Sequence, residues 1–276
     1  MGKKNRAFEL DALRGLAIFM MICHHLIWDI RYLLGYDLFE FQEGDFFNYV
    51  LQPFFLCCFI LISGICCTFS RNNLKRSLRM LIGSVAISVI MALVSYGLLA
   101  VGVISDLHEE GLFVFFNILH LLTVGTFVCW IIEKLEIHAG KNLVTGDTKS
   151  VYYSSLINSG LIIAALCLFM AEPLIRILRN DLNTYAFLPL GILPKDAISM
   201  GDYLPMVPWL GVFLVGISVG RTLYINKETA FPNTPKLIRT LSGPLEFIGR
   251  HSLFVYLIHQ PIILAILFGG RYSGIW

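Results

Sequence analysis

The amino-acid sequence predicts an all-α membrane protein, a polytopic helical bundle of about seven transmembrane helices forming a single domain over residues 1–276. Hydrophobic residues make up 57% of the chain and charged residues only 14%, whereas about a quarter of the residues of soluble domains are charged. The mean hydropathy is +0.73. Apolar runs of about 20 residues, the length that crosses a bilayer as a helix, recur along the chain. We therefore expect a multi-pass protein of the cell (plasma or inner) membrane.

The positions of the apolar runs predict the spans. Seven runs are long enough, and they cover residues 11–33, 47–69, 77–101, 112–133, 151–173, 203–224 and 247–268. A half-span at 189–200 would bring the number to eight. The surrounding 174–202 connection contains Pro and Gly, which favours a lid or a re-entrant element. The first run has no small-residue cleavage site, so we expect it to remain in the mature chain.

The charges of the connections predict the orientation. Basic residues concentrate at the N-terminus, in 70–79 and in 221–246, and acidic residues concentrate in 34–46 and 102–110. Because basic loops stay in the cytoplasm, we expect a cytoplasmic N-terminus and an external C-terminus. No basic tract suits a nucleic acid. All seven cysteines lie inside apolar runs without zinc-site spacing, so no metal is predicted.

The first span carries the residues that point most directly to function. Its sequence, DALRGLAIFMMICHHLIWD, places Arg14, His25 and Asp29 on one helix face, since eleven residues are close to three turns. Ionisable groups at membrane depth are costly and usually mark function. We predict that Asp29 orients the imidazole of His25, which then accepts a proton from a nucleophile. Asp11 is expected to be either the ion-pair partner of Arg14 or the N-cap of the helix.

Two later spans bring further polar side chains to a similar depth. Asn117 and His120 share one face of the fourth span, and Ser252, Tyr256 and His259 share a stripe of the seventh. A helix packing seam held by hydrogen bonds is the alternative interpretation of both groups. In the sixth span, Gly211, Gly216 and Gly220 indicate close helix packing, with Trp209 as a cavity wall.

Span depth suggests one wet chamber. At about 1.5 Å per residue, His25, His120 and His259 come near the middle or the outer half of the bilayer, and we predict that they meet there. A basic mouth on the cytoplasmic side would suit an anionic ligand. The residues predicted at this mouth are Arg14, Arg250, His251 and Ser252. A substrate that receives the reaction in this chamber is predicted to contact His24, Asn117, Trp209 and Tyr256.

Five motifs in chain order resemble those of a known family. They read LDALRGLAIFMMICHHLIWD, PFFLCCFILISGICCTFSR, NILHLLTVG, VPWLGVFLVGISVGR and FIGRHSLFVYLIHQP. Together they resemble bacterial relatives of the heparan-α-glucosaminide N-acetyltransferase catalytic domain. More distantly they resemble the transmembrane acyltransferases of acyltransferase family three, whose Arg/Lys-x10-His pattern here runs from Arg14 to His25. The resemblance extends over about residues 8–268.

The resemblance implies an acyltransferase. Such proteins take an acyl group, usually acetyl, from cytosolic acetyl-CoA and deliver it to an amine or hydroxyl of a sugar or cell-surface glycan across the membrane. It implies an acyl-CoA co-substrate with no tightly bound cofactor, His25 as the catalytic base, and Arg14 at the CoA-facing entrance. His120 or His259 would stabilise the oxyanion or position the acceptor. Direct transfer or an acyl-histidine intermediate, N- or O-acylation, and a homodimer or a monomer stay open.

Two alternatives come from other classes of protein. A b-type haem membrane protein could ligate iron through His25 and His120. A proton-coupled transporter could use the same buried groups as a relay. The sequence shows neither an internal repeat nor paired interrupted helices, and these features are typical of transporters.

Overall fold

The computed structural model describes residues 7–102, 113–141, 148–178, 184–194, 196–200 and 202–274. These residues form nine α-helices joined by short 3-10 and π-helical segments. The helices are α1 (Phe8–Trp28), α2 (Gln52–Cys67), α3 (Asn73–Ala100), α4 (Ile118–Lys141), α5 (Thr148–Leu178), α6 (Met206–Thr222), α7 (Lys236–Leu241), α8 (Gly243–Arg250) and α9 (Ser252–Tyr272). The predicted all-α class is confirmed.

Six helical segments of the described residues are long and apolar enough to cross a membrane, which confirms the polytopic helical bundle. They are Phe8–Tyr32, Phe47–Cys67, Asn73–Ala100, Ile118–His138, Ser154–Leu178 and Ser252–Tyr272. The predicted sixth span is a shorter apolar helix of 17 residues, α6. At about 1.5 Å per residue such a helix is about 25 Å long, a little less than the hydrocarbon core.

The half-span expected at 189–200 is not a helix in the residues described there. This segment contains only a 3-10 turn, Leu188–Leu190, followed by Gly191 with a φ of 107°. Pro189 and Pro194 lack the backbone N–H that a continuing helix requires, so the chain turns instead. Residues 1–6 and 103–112, on which part of the predicted orientation depends, lie outside the described part of the chain.

Local capping moves several helix ends away from the apolar boundaries. α3 begins four residues earlier than predicted because the Asn72 side chain accepts a hydrogen bond from the Lys75 backbone N–H, at 2.9 Å. The seventh predicted span is divided at His251, whose φ of −104° and ψ of 22° separate α8 from α9. Apolar periodicity locates a span, but side-chain hydrogen bonds decide where its helix begins.

The chain divides into two compact units, which we call the first unit (residues 1–62 and 226–276) and the second unit (residues 63–225). In the first unit, α1 packs most extensively against α8. A Cβ atom added to Gly15 would overlap the Leu245 carbonyl, and one added to Gly249 would overlap the Asp11 carbonyl. The two glycines therefore let α1 and α8 cross with their backbones in contact.

In the second unit, α3 packs against α4 and α5 packs against α6. Phe213 is fully buried at the centre of this packing. A Cβ atom on Gly64 would meet the Phe213 carbonyl and the Cα atom of Gly216, and one on Gly211 would meet the Phe169 ring. These contacts confirm the close packing predicted at Gly211 and Gly216.

Candidate functional site

Three imidazoles lie side by side in the first unit, and we call His24, His25 and His259 the histidine cluster. The ring centroids of His25 and His259 are 5.1 Å apart, and those of His24 and His25 are 5.6 Å apart. His259 on α9 is buried, and the two α1 histidines are half-buried. The structure thus brings together two of the three histidines that were expected to share a chamber.

The tautomer of His259 follows from its backbone contact. Its Nδ1 lies 2.6 Å from the Tyr256 carbonyl oxygen, one turn earlier on α9. A carbonyl oxygen can only accept, so Nδ1 carries the proton and the neutral ring has its lone pair on Nε2. The buried Tyr256 ring lies 5.4 Å from the His259 ring. The predicted polar stripe of this span therefore places Tyr256 in direct contact with His259.

Asp29 is fully buried just beyond the end of α1, where a π-helical turn begins, Asp29–Leu33. Its carboxylate oxygens accept from Nε2 of Gln260 at 2.9 and 3.2 Å. The orienting role of Asp29 toward His25 stays a prediction. Gln260 was not singled out from the sequence, although a polar residue beside a histidine in an apolar span was a signal.

His24 is held by a loop residue that sequence reasoning also missed. Gln42, buried in the short 3-10 helix Glu40–Glu43, places Nε2 2.5 Å from the His24 Nδ1 and 3.1 Å from the His24 carbonyl oxygen. The carbonyl contact identifies the amide nitrogen, so Nδ1 accepts and Nε2 of the neutral ring carries the proton. Phe47 stacks on the same ring at 5.5 Å. Helical periodicity cannot predict this contact, because Gln42 lies in a loop and not on a helix face.

An ion pair fastens the loop that carries Gln42. The Arg31 guanidinium donates to the Glu43 carboxylate at 2.6 and 3.0 Å and to the Leu38 carbonyl at 2.8 Å. The hydrogen bond from Arg31 holds the pKa of Glu43 below its ordinary value, and one from the Tyr32 hydroxyl adds to this effect. The acidic 34–46 connection is thereby fixed to the π-helical turn.

Arg14 lies where α1 crosses α8. Its guanidinium is 4.0 Å from the Asp11 carboxylate and 3.4 Å from the Gly249 carbonyl oxygen. The ion-pair interpretation of Asp11 is confirmed. The N-cap alternative is wrong, because α1 begins at Phe8 with Ala7 as its N-cap residue. Arg14 therefore reaches the last turn of α8.

Three other predicted mouth residues follow at the junction of α8 and α9. Arg250 forms an ion pair with Glu246, at 3.3 Å, across one turn of α8. His251 is exposed, and its Nδ1 lies 2.9 Å from the Phe247 carbonyl oxygen. Ser252 is half-buried at the start of α9. Arg14 thus lies beside the last turn of α8, and Arg250 is the final residue of that turn.

His120 and Asn117 lie in the second unit and contact each other at the start of α4. The fully buried Asn117 Oδ1 accepts from the Leu119 backbone N–H at 3.1 Å and lies 2.9 Å from the His120 Nδ1. The His120 ring stacks on Phe116 at 5.2 Å. The contact between Asn117 and His120 is therefore local to the start of α4, whereas the alternative interpretation from the sequence was a hydrogen bond between two helices.

Trp209 is half-buried on α6. A single chamber for all three histidines stays a prediction.

A family comparison adds the decisive observation. Residues 6–261 match the family model described as heparan-alpha-glucosaminide N-acetyltransferase, catalytic. The chain belongs to this family. The match spans nearly the whole chain, includes every candidate residue discussed above, and confirms the resemblance seen in the motifs. Neither the curated proteins nor the solved structures include a significant match.

Membership in the heparan-α-glucosaminide N-acetyltransferase catalytic family, with six apolar helices, makes the protein a multi-pass membrane acetyltransferase. In such a protein the histidine cluster is the group best suited to proton exchange, because imidazole accepts and releases protons near neutral pH. In the described ranges no group of three His, Cys, Asp or Glu residues is placed to hold a metal ion. We therefore assign no metal ligands.

Proposed function

We propose that this acetyltransferase takes the acetyl group from cytosolic acetyl-CoA and transfers it to an amine or hydroxyl of a sugar or surface glycan on the outer side. His25 acts as the general base. The observation that carries the proposal is the contact of the His25 and His259 rings, at 5.1 Å, within a chain of this family. It supplies adjacent proton-accepting groups on two apolar helices.

The chemistry requires one proton to move. The acceptor N–H or O–H bonds to His25, and its nitrogen or oxygen attacks the thioester carbonyl while the proton passes to the imidazole. The carbon–sulfur bond then breaks, and the CoA thiolate leaves and takes the proton as a thiol. General-base catalysis of this kind contributes about 10²- to 10⁴-fold to the rate.

The tautomer of His259 favours one of its two expected roles. Because Nδ1 donates to the Tyr256 carbonyl, the neutral ring presents only an acceptor at Nε2. Such a ring can hold an N–H or O–H group of the acceptor but cannot donate to a developing oxyanion. We therefore assign His259 to acceptor positioning.

The donor would bind at the basic mouth. Arg14 lies against the last turn of α8, which Arg250 ends. Guanidinium groups bind phosphate groups strongly, so these residues suit the pyrophosphate of CoA. The positive charge of the flanking connections supports a cytoplasmic position for this mouth under the positive-inside rule.

The test is acetyl transfer by the purified protein in lipid vesicles. Vesicles receive labelled acetyl-CoA and a glucosamine-terminated oligosaccharide, and label joined covalently to the sugar is measured. We expect His25→Ala to lose about 10²-fold or more of the rate. His138→Ala, which removes an exposed histidine of α4, serves as the control and should keep the native rate.

Other outcomes would contradict the proposal. Full transfer by His25→Ala would refute the base assignment. Label that accumulates inside the vesicles without joining the sugar would favour a transporter. A Soret absorption band in the purified protein would favour a haem protein.

A further inference from the structure

The contact between Asp29 and Gln260 has no role in the reaction described so far. Asp29 is fully buried, and both of its carboxylate oxygens accept from the Gln260 amide, at 2.9 and 3.2 Å. Burying a carboxylate is costly unless it is hydrogen-bonded. A glutamine amide donates to the carboxylate without supplying a positive charge, whereas Lys or Arg at this position would neutralise it. Gln260 is therefore suited to hold an ionised carboxylate without cancelling its charge.

The Gln260 amide orientation has a cost of its own. An ionised carboxylate can only accept, so Nε2 must face Asp29 and Oε1 must point away. Within the described part of the chain, the buried Oε1 atom has no hydrogen-bond donor. An unsatisfied buried acceptor costs free energy, and the two hydrogen bonds to Asp29 offset that cost. Glutamine at this position is therefore explained by its contact with Asp29.

The pair lies next to the histidine cluster in both helices. Asp29 follows His25 by one turn, and Gln260 follows His259 directly. α1 and α9 therefore meet through two neighbouring contacts, one between imidazole rings and one between carboxylate and amide. A nearby negative charge favours the protonated form of an imidazole. That is the form His25 takes when it accepts the substrate proton.

We propose that Gln260 is a positioning residue of the acyl-transfer site. It holds the ionised Asp29 carboxylate beside the histidine cluster without neutralising it, so that the charge stabilises the imidazolium formed during transfer. This inference rests on the proposed function and assigns to that site a residue of α9.

The charged side chain nearest to the pair along the chain, Arg31, has partners of its own. The three imidazoles of the histidine cluster lie on the same two helices, α1 and α9. Arg31, two residues beyond Asp29, is bound to Glu43 and lies 3.2 Å from Asp37. The pH dependence expected below therefore belongs to the Asp29 and Gln260 pair and to the histidine cluster.

The first experiment compares Gln260→Leu with Gln260→Glu across pH in the acetyl-transfer assay. Gln260→Leu removes the donor, and we expect kcat to fall about 10- to 100-fold with KM for acetyl-CoA unchanged. In Gln260→Glu the introduced carboxyl group, while protonated, donates to Asp29 as the amide does. Its activity should be close to native at low pH and fall as pH rises, because two ionised carboxylates repel each other.

A second pair of variants separates the effect of the Asp29 charge from the effect of the hydrogen bond between residues 29 and 260. Asp29→Asn keeps an amide contact but removes the charge, so we expect a loss similar to that of Gln260→Leu. The double variant Asp29→Asn with Gln260→Glu restores one carboxylate and one amide in exchanged positions, and it should recover part of the lost rate. Native activity in Asp29→Asn would overturn the inference, since attachment alone would then suffice.

Gln52→Leu and Gln52→Glu are the matched controls. Gln52 is exposed at the start of α2, and both changes should leave kcat and its pH profile unchanged. Native kcat and pH profile in Gln260→Leu would overturn the inference.

Thermal unfolding of Gln260→Glu gives a readout that does not need activity. The folded state keeps a proton between the two carboxyl groups that the unfolded chain releases, so Tm should fall as pH rises. If the unmodified protein transfers no acetyl group, the proposed function fails, while this measurement still decides whether Gln260 holds Asp29. A Tm of Gln260→Glu that follows pH as the native Tm does would show that the contact is absent.

Discussion

Within the described residues, both compact units contain ion pairs, but the first unit also packs imidazoles against each other. In the second unit, Asn73 donates to the Glu133 carboxylate at 2.7 Å and to the Cys67 carbonyl at 3.0 Å, and Arg221 binds Glu136. In the first unit, by contrast, imidazole faces imidazole in the histidine cluster. Both arrangements carry a cost of desolvation. Imidazole is the side chain whose ordinary pKa lies closest to neutral pH, so of these two arrangements the histidine cluster is better suited to proton exchange.

The difference teaches that buried polarity alone does not mark a site. Asn73 and His259 are both buried polar residues in apolar helices, and a hydropathy profile does not distinguish them. What distinguishes them is the partner. Asn73 binds a carboxylate and a carbonyl and so ties helices together, whereas His259 also lies beside a second imidazole with which it can exchange a proton.

The largest expected effect comes from comparing alanine substitutions of His259 in the first unit and His120 in the second. His259→Ala should lower acetyl transfer by about 10²-fold, since it removes the ring that faces His25. His120→Ala should lower it less than about fivefold, because the ring belongs to the local cap with Asn117, and a helix cap contributes about 1 kcal/mol to stability. Initial rates with labelled acetyl-CoA, normalised to folded protein, measure both.

The reverse order of these two effects would contradict the comparison. It would place the reactive histidine in the second unit and leave the histidine cluster as a helix contact. His138→Ala again reports any general effect of losing a histidine.

An intermediate effect is expected from breaking a fixed tie in the second unit. Asn73→Ala removes a hydrogen bond to a carboxylate and should lower the free energy of unfolding by about 2–3 kcal/mol. Asn72→Ala, which removes only the cap of α3, should cost about 1 kcal/mol. Thermal unfolding of the protein in detergent compares the two variants.

The activity of these variants sharpens the comparison further. Below the unfolding temperature, acetyl transfer per folded molecule should be native in both, because neither side chain exchanges a proton. A selective loss of kcat in folded Asn73→Ala would show that the second unit contributes more than support.

The smallest effect is expected at the loop ion pair of the first unit. Arg31 lowers the pKa of Glu43, so the contact stabilises the folded loop above the ordinary glutamate pKa and is lost as pH falls through the lowered value. Amide hydrogen exchange in residues 35–46 should accelerate in that acidic range. Glu43→Gln should exchange fast at all pH values, and Glu40→Gln, at an exposed position, should behave as native. Native exchange in Glu43→Gln would show that the ion pair does not hold the loop.

Much of the fold was predictable because it depends on local composition. Apolar runs of sufficient length become spans in lipid, since a helix satisfies every backbone hydrogen bond internally. The helical repeat likewise predicted that Asp11 and Arg14 would pair and that Tyr256 and His259 would meet. Motif order was enough to indicate the family.

The partners of the site residues were not predictable in the same way. Gln42 and Gln260 reach His24 and Asp29 from a loop and from α9, across 18 and 231 residues of sequence. His120 showed the same helical spacing as a site residue, yet it contacts Asn117 at the start of its own helix. Helical periodicity predicts which face of a helix a residue lies on, but it does not predict which side chain of another element contacts that residue.

The sequence by itself determined the membrane class, the family and the presence of costly ionisable groups in apolar helices, because each of these follows from composition and spacing along one chain. Only the tertiary structure decided that His259 of α9 meets His25, and that the Asp29 carboxylate is held by the Gln260 amide. The reason is geometric. These contacts depend on how closely α1 approaches α8 and α9, and that approach is set by packing between residues more than 200 positions apart, such as Gly15 and Gly249.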